Sequence, residues 1–264
     1  MKLLFLGDIV GKSGRDAVLK HLPALKTTCA PDCIIINAEN AAHGFGLTKS
    51  IAAELFDAGA HVVTSGNHIW DKQEILAYIS QEKRVLRPHN YPVHLPGSGV
   101  CEIETIKGQK IVVINIMGRL FMETLDDPFA CIDKILKPYI LGRNAHAIFI
   151  DFHAETTSEK QAFCHYVDGR VSGVIGTHTH VPTADERIFP KGTAFQSDAG
   201  MCGDYYNSVI GMQVSGSLGK FLKRIPYERM QPAEGEGTVC GALITLNTNG
   251  LASSIERVRA GPTH

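Results

Sequence analysis

Two histidines one residue apart follow an apolar run in the second half of the chain. The run at residues 171–175 has the length of a buried strand, and His178 and His180 come shortly after it. Imidazole nitrogens at the end of a strand are frequent ligands of transition metals. The pair therefore indicates a metal site at the mouth of a sheet.

Four other apolar runs end at side chains that can bind a metal or transfer a proton. These runs precede Asp8, the pair Glu39 and Asn40, the pair Asn67 and His68, and the pair Asp151 and His153. One such ending could arise by chance, whereas five similar endings favour a common site. We expect that site to lie along one edge of a sheet.

The chemistry of these side chains suits two metal ions. Carboxylate, carboxamide and imidazole groups bind hard or borderline divalent metals. A carboxylate can bridge two ions about 3.5–4 Å apart, and Glu39 is the candidate for that role. Because an extended backbone does not readily direct His178 and His180 at one ion, we expect them to bind different ions.

Five short strings surround these side chains. They are G-D-I-V-G at 7–11, N-A-E-N-A-A-H-G at 37–44, G-N-H-I-W-D at 66–71, D-F-H-A-E-T-T-S-E-K at 151–160 and G-T-H-T-H-V at 176–181. The chain resembles the calcineurin-like metallophosphoesterases in these strings. Within that superfamily it resembles the bacterial 2′,3′-cyclic-nucleotide 2′-phosphodiesterase branch, and the similarity extends over nearly the whole chain.

The resemblance implies a metal-dependent phosphoric diester hydrolase with a dinuclear centre of divalent or trivalent ions, usually iron or manganese. It implies that one ion binds Asp8, Glu39, Asn40 and His180, and that the other binds Glu39, Asn67, His153 and His178. The implied substrates are small phosphodiesters, in particular 2′,3′-cyclic nucleotides. A hydroxide that bridges the ions would attack phosphorus, and His68 would act as the proton donor.

Two positions depart from the wider superfamily. Its first motif is usually D-x-H, whereas Val10 stands at the third position here. Its second motif usually supplies a bridging Asp, whereas this chain has Glu39 followed by Asn40. Both departures fit the branch, and they leave the identity of the metal open.

Helical segments alternate with the short apolar runs in the first half of the chain. We expect helices over 14–26, 48–58, 71–79, 127–136 and 158–167, with Thr48 and Asp127 as N-caps and Asp71 with Glu74 as a capping box. Alternation of strands and helices predicts right-handed crossovers and largely parallel strand pairing.

Later segments have the composition of strands with less helix between them. They are residues 99–106, 193–197, 238–246 and 253–259, and Asn247 to Gly250 predicts a hairpin between the last two. We therefore expect a second sheet packed on the first, with helices outside. The resemblance likewise implies an α/β fold, a four-layer α/β/β/α sandwich of two mixed sheets. Without a linker or repeat, residues 1–264 are expected to form a single domain.

The overall composition limits the partners and the compartment. The net charge of −1 offers no strong field for a long nucleic acid or an anionic membrane, and the basic stretch Lys220, Lys223, Arg224 and Arg229 is interpreted as a solvated helix face.

Seven cysteines without a C-x-x-C pair indicate a reducing compartment. No run approaches the roughly 20 apolar residues of a membrane helix. We expect a cytoplasmic protein, and an apolar edge would be compatible with a homo-oligomer.

Three other functions stay open from sequence. A P-loop-like nucleotidase would use Gly7 to Ser13, but only three residues separate Gly7 and Gly11 where a Walker A loop needs four. A mononuclear amide hydrolase also uses His-x-His, normally after its first strand. A metal-containing regulatory or scaffold protein with weak phosphatase activity would carry the same ligands.

Overall fold

The computed structural model of the protein describes residues 1–223 and 230–262. Its helices in these ranges are α1 (Gly11–Cys29), α2 (Lys49–Ala58), α3 (Ile75–Gln81), α4 (Pro128–Leu136), α5 (Thr157–Val167) and α6 (Val214–Lys223). Its strands are β1 (Lys2–Leu6), β2 (Asp8–Ile9), β3 (Cys33–Asn37), β4 (Val62–Thr64), β5 (Val100–Glu104), β6 (Lys110–Met117), β7 (Ala147–His153), β8 (Gly173–Thr177), β9 (Arg187–Ile188), β10 (Ala194–Gln196), β11 (Met201–Cys202), β12 (Ser208–Val209), β13 (Met212–Gln213), β14 (Val239–Leu246) and β15 (Ala252–Ala260). Arg224 and Arg229 of the basic stretch lie outside the described residues.

The larger strands form two mixed sheets. The first is five-stranded in the order β15-β14-β1-β3-β4, and the second is six-stranded in the order β5-β6-β7-β8-β10-β9. Strands β1, β3 and β4 run parallel, as do β6, β7, β8 and β10. Antiparallel strands occupy the remaining positions of both sheets. The expectations of a mixed α/β chain and of a second sheet are confirmed. The expected membership of that sheet is wrong for residues 238–246 and 253–259, because they form β14 and β15 of the first sheet.

The strands that lead to the predicted site come from both sheets. Strands β1, β3 and β4 belong to the first sheet, whereas β7 and β8 belong to the second. The expectation of a site along the edge of one sheet is therefore wrong. Apolar runs show where strands end. They do not show which strands pair with each other in a sheet, because strand pairing depends on tertiary structure.

The two sheets contact each other through alternate side chains of their strands. In β1, Leu3 and Phe5 belong to a buried cluster that also contains side chains of the second sheet. The rings of Phe5 and Phe149 lie with centroids 5.1 Å apart. Leu4 and Leu6 point to the opposite face, because successive strand side chains alternate. Full burial of each such side chain contributes about 1.5–3 kcal/mol.

Helices pack on the other faces of both sheets. Val18 of α1, Leu55 of α2 and Ile79 of α3 share a buried cluster with the first sheet. Ile132 of α4 and Phe163 of α5 share another with the second sheet. The polar side chains described below lie at or just beyond the C-terminal ends of strands from both sheets.

Two helix N-termini have the predicted caps. The N–H of Ile51 donates to Thr48 Oγ1 at 3.3 Å, and the N–H of Phe129 donates to Asp127 Oδ1 at 2.9 Å. Helix α5 begins slightly earlier than expected, with Thr156 as its N-cap. The hairpin between β14 and β15 is confirmed, with Gly250 in the left-handed region at φ 84°.

Other predicted helix boundaries are wrong. Helix α1 begins at Gly11 and continues through Pro23 to Cys29, because its buried face on the first sheet outweighs the cost of an internal proline. The capping box before α3 is absent. Glu74 accepts from the N–H of Lys49 at 3.0 Å, and Asp71 bonds instead to the ring of His68.

The seven cysteines are free thiols in this structure, as expected for a chain without a disulfide framework. Within the described ranges, no helix has both the length and the apolar character that crossing a bilayer requires.

Candidate metal centre

Five of the seven predicted ligands are buried, and the other two are half-buried. The buried ones are Asp8, Glu39, Asn40, His153 and His180, and the half-buried ones are Asn67 and His178. Each lies at or just beyond the C-terminal end of β1, β3, β4, β7 or β8. Contacts among them divide the side chains into two groups that meet at Glu39.

The first group contains Glu39, Asn67, His153 and His178. Ligand atoms of Glu39, His153 and His178 all lie within 4.8 Å of one another. The Nε2 atom of His153 is 3.2 Å from Glu39 Oε2 and 3.0 Å from Asn67 Oδ1. One carboxylate, one amide oxygen and two imidazoles therefore face a common volume, which is a donor set for a borderline cation.

The second group contains Asp8, Asn40 and His180, and it meets the other oxygen of Glu39. Asn40 Nδ2 is 2.9 Å from Glu39 Oε1 and 3.2 Å from His180 Nε2. His180 Nε2 is also 3.9 Å from Asp8 Oδ2. Glu39 thus has one carboxylate oxygen towards each group of side chains.

The proton position on His153 follows from its neighbours. Thr177 Oγ1 donates its only hydrogen to Asp151 Oδ1 at 2.6 Å, so it can only accept from His153 Nδ1 at 2.9 Å. His153 therefore carries its proton on Nδ1. Its Nε2 atom presents a lone pair to the first group, as a metal-binding histidine must.

His180 is held in the same tautomer by a backbone carbonyl. Its Nδ1–H donates to the carbonyl oxygen of Ile210 at 2.8 Å, which leaves the lone pair of Nε2 facing Asp8 and Asn40. Ile210 has φ 47°, a conformation that β-branched residues rarely adopt. The backbone around the site is thus strained at a residue whose carbonyl orients a predicted ligand.

Burial sets the charge state of the carboxylates in the metal-free cluster. Burial, reinforced by Glu39, raises the pKa of Asp8 well above its usual range. Burial also raises the pKa of Glu39 to about 7 and that of Asp151 to about 6. Close carboxylates therefore resist ionisation in the absence of a cation, and a bound cation would favour their charged forms.

The pKa values of the imidazoles in the cluster are shifted in the opposite direction. Burial lowers the pKa of His153 well below its usual value, and burial together with His180 lowers the pKa of His178 to about 4. Burial likewise lowers the pKa of His180. Neutral imidazoles at neutral pH are the form that binds metal.

Orphaned polar atoms and a small cradle show that these residues fit a metal ion. Among the described residues, Asp8 Oδ1 and Asn40 Oδ1 are buried and have no hydrogen-bond partner, although buried oxygens normally have one. A Cβ atom at Gly66 would lie 2.2 Å from His153 Nε2 and 2.3 Å from Glu39 Oε2. The missing side chain at residue 66 thus leaves the space between these donor atoms open.

His68 lies beside the first group and is accessible to solvent. Its backbone N–H donates to Glu39 Oε2 at 3.4 Å, and its side chain is 30% exposed. The Nδ1 atom is 2.9 Å from Asp71 Oδ2, and the ring meets Phe45 edge-on with centroids 5.0 Å apart. These contacts orient the ring and leave Nε2 as the nitrogen that can face a ligand.

The residues that hold the backbone of the histidine pair in place were not predicted from the sequence. Lys160 Nζ is fully buried and lies 2.9 Å from Asp198 Oδ2. The same oxygen accepts from the N–H of Thr179 at 3.1 Å and from its hydroxyl at 2.8 Å. These bonds hold a segment in which His178 and His180 have φ 97° and 66°. Lys160 lies within the string at 151–160, but no local pattern pairs it with Asp198.

The P-loop-like alternative is not supported by the position of Lys12. This side chain is exposed and forms an ion pair with Asp16 on the next turn of α1. Asp8 accepts from the N–H of His178 at 2.9 Å, so the segment faces the histidine pair. The loop therefore contributes a carboxylate to the cluster.

Comparison with known proteins identifies the family. The family model described as YmdB-like protein matches residues 4–258. The chain belongs to the YmdB-like family. The 2′,3′-cyclic-nucleotide 2′-phosphodiesterase of Bacillus subtilis (strain 168) is 44% identical over 265 residues, which cover 100% of this chain and 98% of that relative. The resemblance noted from the five strings is confirmed.

Solved structures of similar proteins agree with this membership of the YmdB-like family. A "hypothetical protein" from Thermus thermophilus has a TM-score of 0.93 at 39% identity, with 100% of both chains covered. A "novel phosphatase" from Mycoplasma pneumoniae has a TM-score of 0.91 at 35% identity, covering 99% of this chain and 93% of its own. A 5′-nucleotidase precursor from Thermus thermophilus, at 13% identity and a TM-score of 0.53, is similar in fold alone; 98% of this chain and 54% of that chain are covered.

Proposed function

We propose that the protein is a metal-dependent phosphodiesterase that hydrolyses small phosphodiesters, with 2′,3′-cyclic nucleotides as its substrates. The convergence of buried carboxylates with neutral imidazoles carries the proposal, because this donor set lies beside a solvent-accessible histidine. The name of the Bacillus subtilis relative, which matches over the whole chain, supports the choice of substrate.

The proposed centre would hold two ions, and Glu39 would contribute to the binding of both. Asp8, Glu39, Asn40 and His180 would hold one ion, and Glu39, Asn67, His153 and His178 would hold the other. The division of the two Glu39 oxygens between the groups supports this assignment. Iron or manganese is proposed from the family resemblance, and nitrogen and oxygen ligands without a thiolate are compatible with either metal.

The amide of Asn40 must turn for this assignment. Its nitrogen now faces Glu39 and His180, and its oxygen is the buried atom without a partner. A rotation of 180° about the terminal bond exchanges the two atoms with little change of shape. The exchange would direct the amide oxygen at the proposed ion.

Metal ions bound here would supply Lewis acidity, since they neutralise charge on a phosphoryl group and promote the ionisation of water. Hydrolysis adds water to phosphorus and breaks the bond to the 2′ oxygen, which must then receive a proton. His68 would donate that proton from Nε2, because Asp71 holds its Nδ1 atom. Gly66 would keep the space beside His153 free of side-chain atoms.

The finer features of the fold belong to the same proposal. We infer a four-layer α/β/β/α sandwich, supported by one buried cluster between the sheets and one between each sheet and its helices. A single domain over residues 1–264 is supported by a candidate site that takes ligands from both sheets. The free thiols support a cytoplasmic location, and a homo-oligomer stays a prediction.

Metal analysis and a substrate panel test the proposed function. Protein purified without chelator should contain about two ions per chain and should hydrolyse 2′,3′-cyclic nucleotides faster than phosphomonoesters. Removal of the ions should abolish turnover, and manganese or iron should restore it. Activity that survives complete removal of metal would contradict the proposal. Nucleotide binding without turnover by the fully loaded protein would favour the regulatory alternative.

A further inference from the structure

The connection between β6 and α4 presents an aromatic ring to solvent. The N–H of Met122 donates to the carbonyl of Arg119 at 3.3 Å, which closes a four-residue turn. Phe121, at the third position of this turn, has φ 60° and is 91% exposed. Glycine is the residue that ordinarily takes this position, because a side chain there is strained. The chain therefore holds a large apolar ring in water on a strained backbone.

The start of this turn is fixed to the proposed metal ligand His153. Gly118 precedes the turn, and its N–H donates to the carbonyl of His153 at 2.9 Å. The buried carboxylate of Glu159 accepts from the N–H of Arg119 at 3.0 Å and from that of Leu120 at 3.2 Å. The turn thus begins beside the centre with its backbone held by an acidic side chain.

The end of the turn is fixed to the segment that carries His68. Met122 packs against the helix-facing cluster of the first sheet, which includes Ile69 and Trp70 among its members and neighbours. Next to it, Tyr91 donates its hydroxyl hydrogen to Glu123 at 3.1 Å and meets the ring of Trp70 edge-on at 5.7 Å. Phe121 therefore lies on a connection that runs from His153 to the neighbourhood of His68.

We propose that Phe121 stacks on the nucleobase of the substrate and thereby selects nucleotides over base-free phosphodiesters. This inference rests on the proposed function and adds the part of the substrate that the metal centre does not contact. A ring with a free face binds any nucleobase by stacking, without hydrogen-bond readout. Such a role accounts for the strained conformation of Phe121, since strain of this kind concentrates at functional sites.

Leu120 offers a matched control on the same turn. It is 51% exposed, and its contact with Glu159 uses only its backbone N–H. The Leu120→Ala variant removes an exposed apolar side chain without removing a π face. It therefore separates base stacking from a general apolar contact.

Binding and turnover of base-bearing and base-free ligands test the inference. In metal-loaded protein, Phe121→Ala should weaken binding of adenosine 3′-monophosphate roughly 5- to 100-fold and leave binding of inorganic phosphate unchanged. The KM for adenosine 2′,3′-cyclic monophosphate should rise by a similar factor with little change in kcat. Hydrolysis of glycerol 1,2-cyclic phosphate should not change. Phe121→Trp should retain nucleotide binding, and Leu120→Ala should resemble the wild type.

The results separate this inference from the proposed function. Equal binding of nucleotide by Phe121→Ala and the wild type, or an equal loss for nucleotide and phosphate, would overturn the stacking role alone. A loss of nucleotide affinity in Leu120→Ala as large as that in Phe121→Ala would also overturn the stacking role alone. A wild type that hydrolyses no diester but binds nucleotide through Phe121 would overturn only the proposed reaction. Phe121→Gly, which relieves the strained φ, should unfold at a higher temperature and still lose nucleotide affinity.

Discussion

The ring of His153 donates from Nδ1 to the hydroxyl of Thr177 at 2.9 Å, and this bond decides which nitrogen faces Glu39. Thr177 can serve only as the acceptor because its hydrogen is given to Asp151 at 2.6 Å. The same carboxylate accepts from the side chains of Asn37 and Thr64. A fully buried network therefore orients a candidate ligand before any metal arrives.

Removal of the Thr177 hydroxyl should weaken metal binding. Thr177→Val leaves His153 Nδ1 without an acceptor and permits the tautomer whose proton lies on Nε2. We expect metal affinity to fall about 10- to 100-fold, as is typical when a partner of a ligating histidine is lost. Titration of chelated protein with manganese measures the change. Thr177→Ser keeps the hydroxyl and should bind nearly normally; equal losses in both variants would contradict the tautomer argument.

Asp8 should have opposite effects on the metal-free and the metal-loaded protein. In the absence of a cation, this buried carboxylate lies close to Glu39 and has an oxygen without a partner. Asp8→Asn removes a carboxyl group whose pKa is raised by burial and by Glu39, so it should raise the unfolding free energy of the chelated protein at neutral pH. Added metal should then stabilise the variant less than the wild type. Thermal unfolding with and without chelator measures both effects, and a lower stability of the chelated variant would count against the argument.

The chelated protein should also lose stability as the pH rises. The folded-state pKa of Glu39 is raised to about 7 and that of Asp151 to about 6, above their unfolded values. The folded state therefore binds more protons at these two carboxylates. The lowered pKa values of His153, His178 and His180 act in the opposite direction below about pH 6.5, because the unfolded imidazoles are protonated there. A net loss of stability is therefore expected as the pH rises from about 6.5 through 7. Each such group contributes a slope of up to about 1.4 kcal/mol per pH unit. Denaturant unfolding at several pH values measures it, and metal should flatten the profile.

Sequence patterns predicted which polar side chains follow the strand ends better than they predicted the surrounding structure. Asp8 and His180 are far apart in the chain, yet both follow apolar runs, and strand ends could be read from those runs. The pairing of Lys160 with Asp198 could not be read, because a buried ion pair has no local periodicity. The tautomer of His180 depends on the carbonyl of Ile210, a backbone group that every residue type possesses.

Some helix boundaries predicted from the sequence were wrong for a related reason. The capping box of Asp71 and Glu74 has the right spacing, but its two carboxylates find partners in His68 and Lys49. Side chains that favour caps also bond readily elsewhere, and tertiary contacts decide between the choices. The origin of the site in two sheets was missed because pairing between strands is nonlocal.

Replacement of His68 should reduce the rate of hydrolysis more than it reduces the metal content. His68→Ala keeps every proposed ligand and should retain bound metal, since the side chain contacts Asp71 and Phe45. We expect hydrolysis of cyclic nucleotides to fall about 10²- to 10⁴-fold, the usual effect of losing a general acid. A nitrophenyl diester should be affected much less, because nitrophenolate leaves without a proton. Equal losses on both substrates would remove the proton-donor role, and Asp71→Asn should show a weaker form of the same pattern.

Gly66 should tolerate no side chain if the space beside His153 receives a cation. A Cβ atom there would lie 2.2 Å from His153 Nε2, so Gly66→Ala must displace a proposed ligand. We expect loss of metal from the first group and a fall in activity of about 10²-fold or more, the scale of misplacing a catalytic constellation. Gly216 in α6 is the matched control, because a Cβ atom there meets nothing within 4 Å. Gly216→Ala should keep metal and activity and should gain up to about 1 kcal/mol of stability from higher helix propensity. Metal content and unfolding temperature of the two variants test whether the space beside His153 receives a cation. A Gly66→Ala protein with full metal content would show that this space serves another purpose.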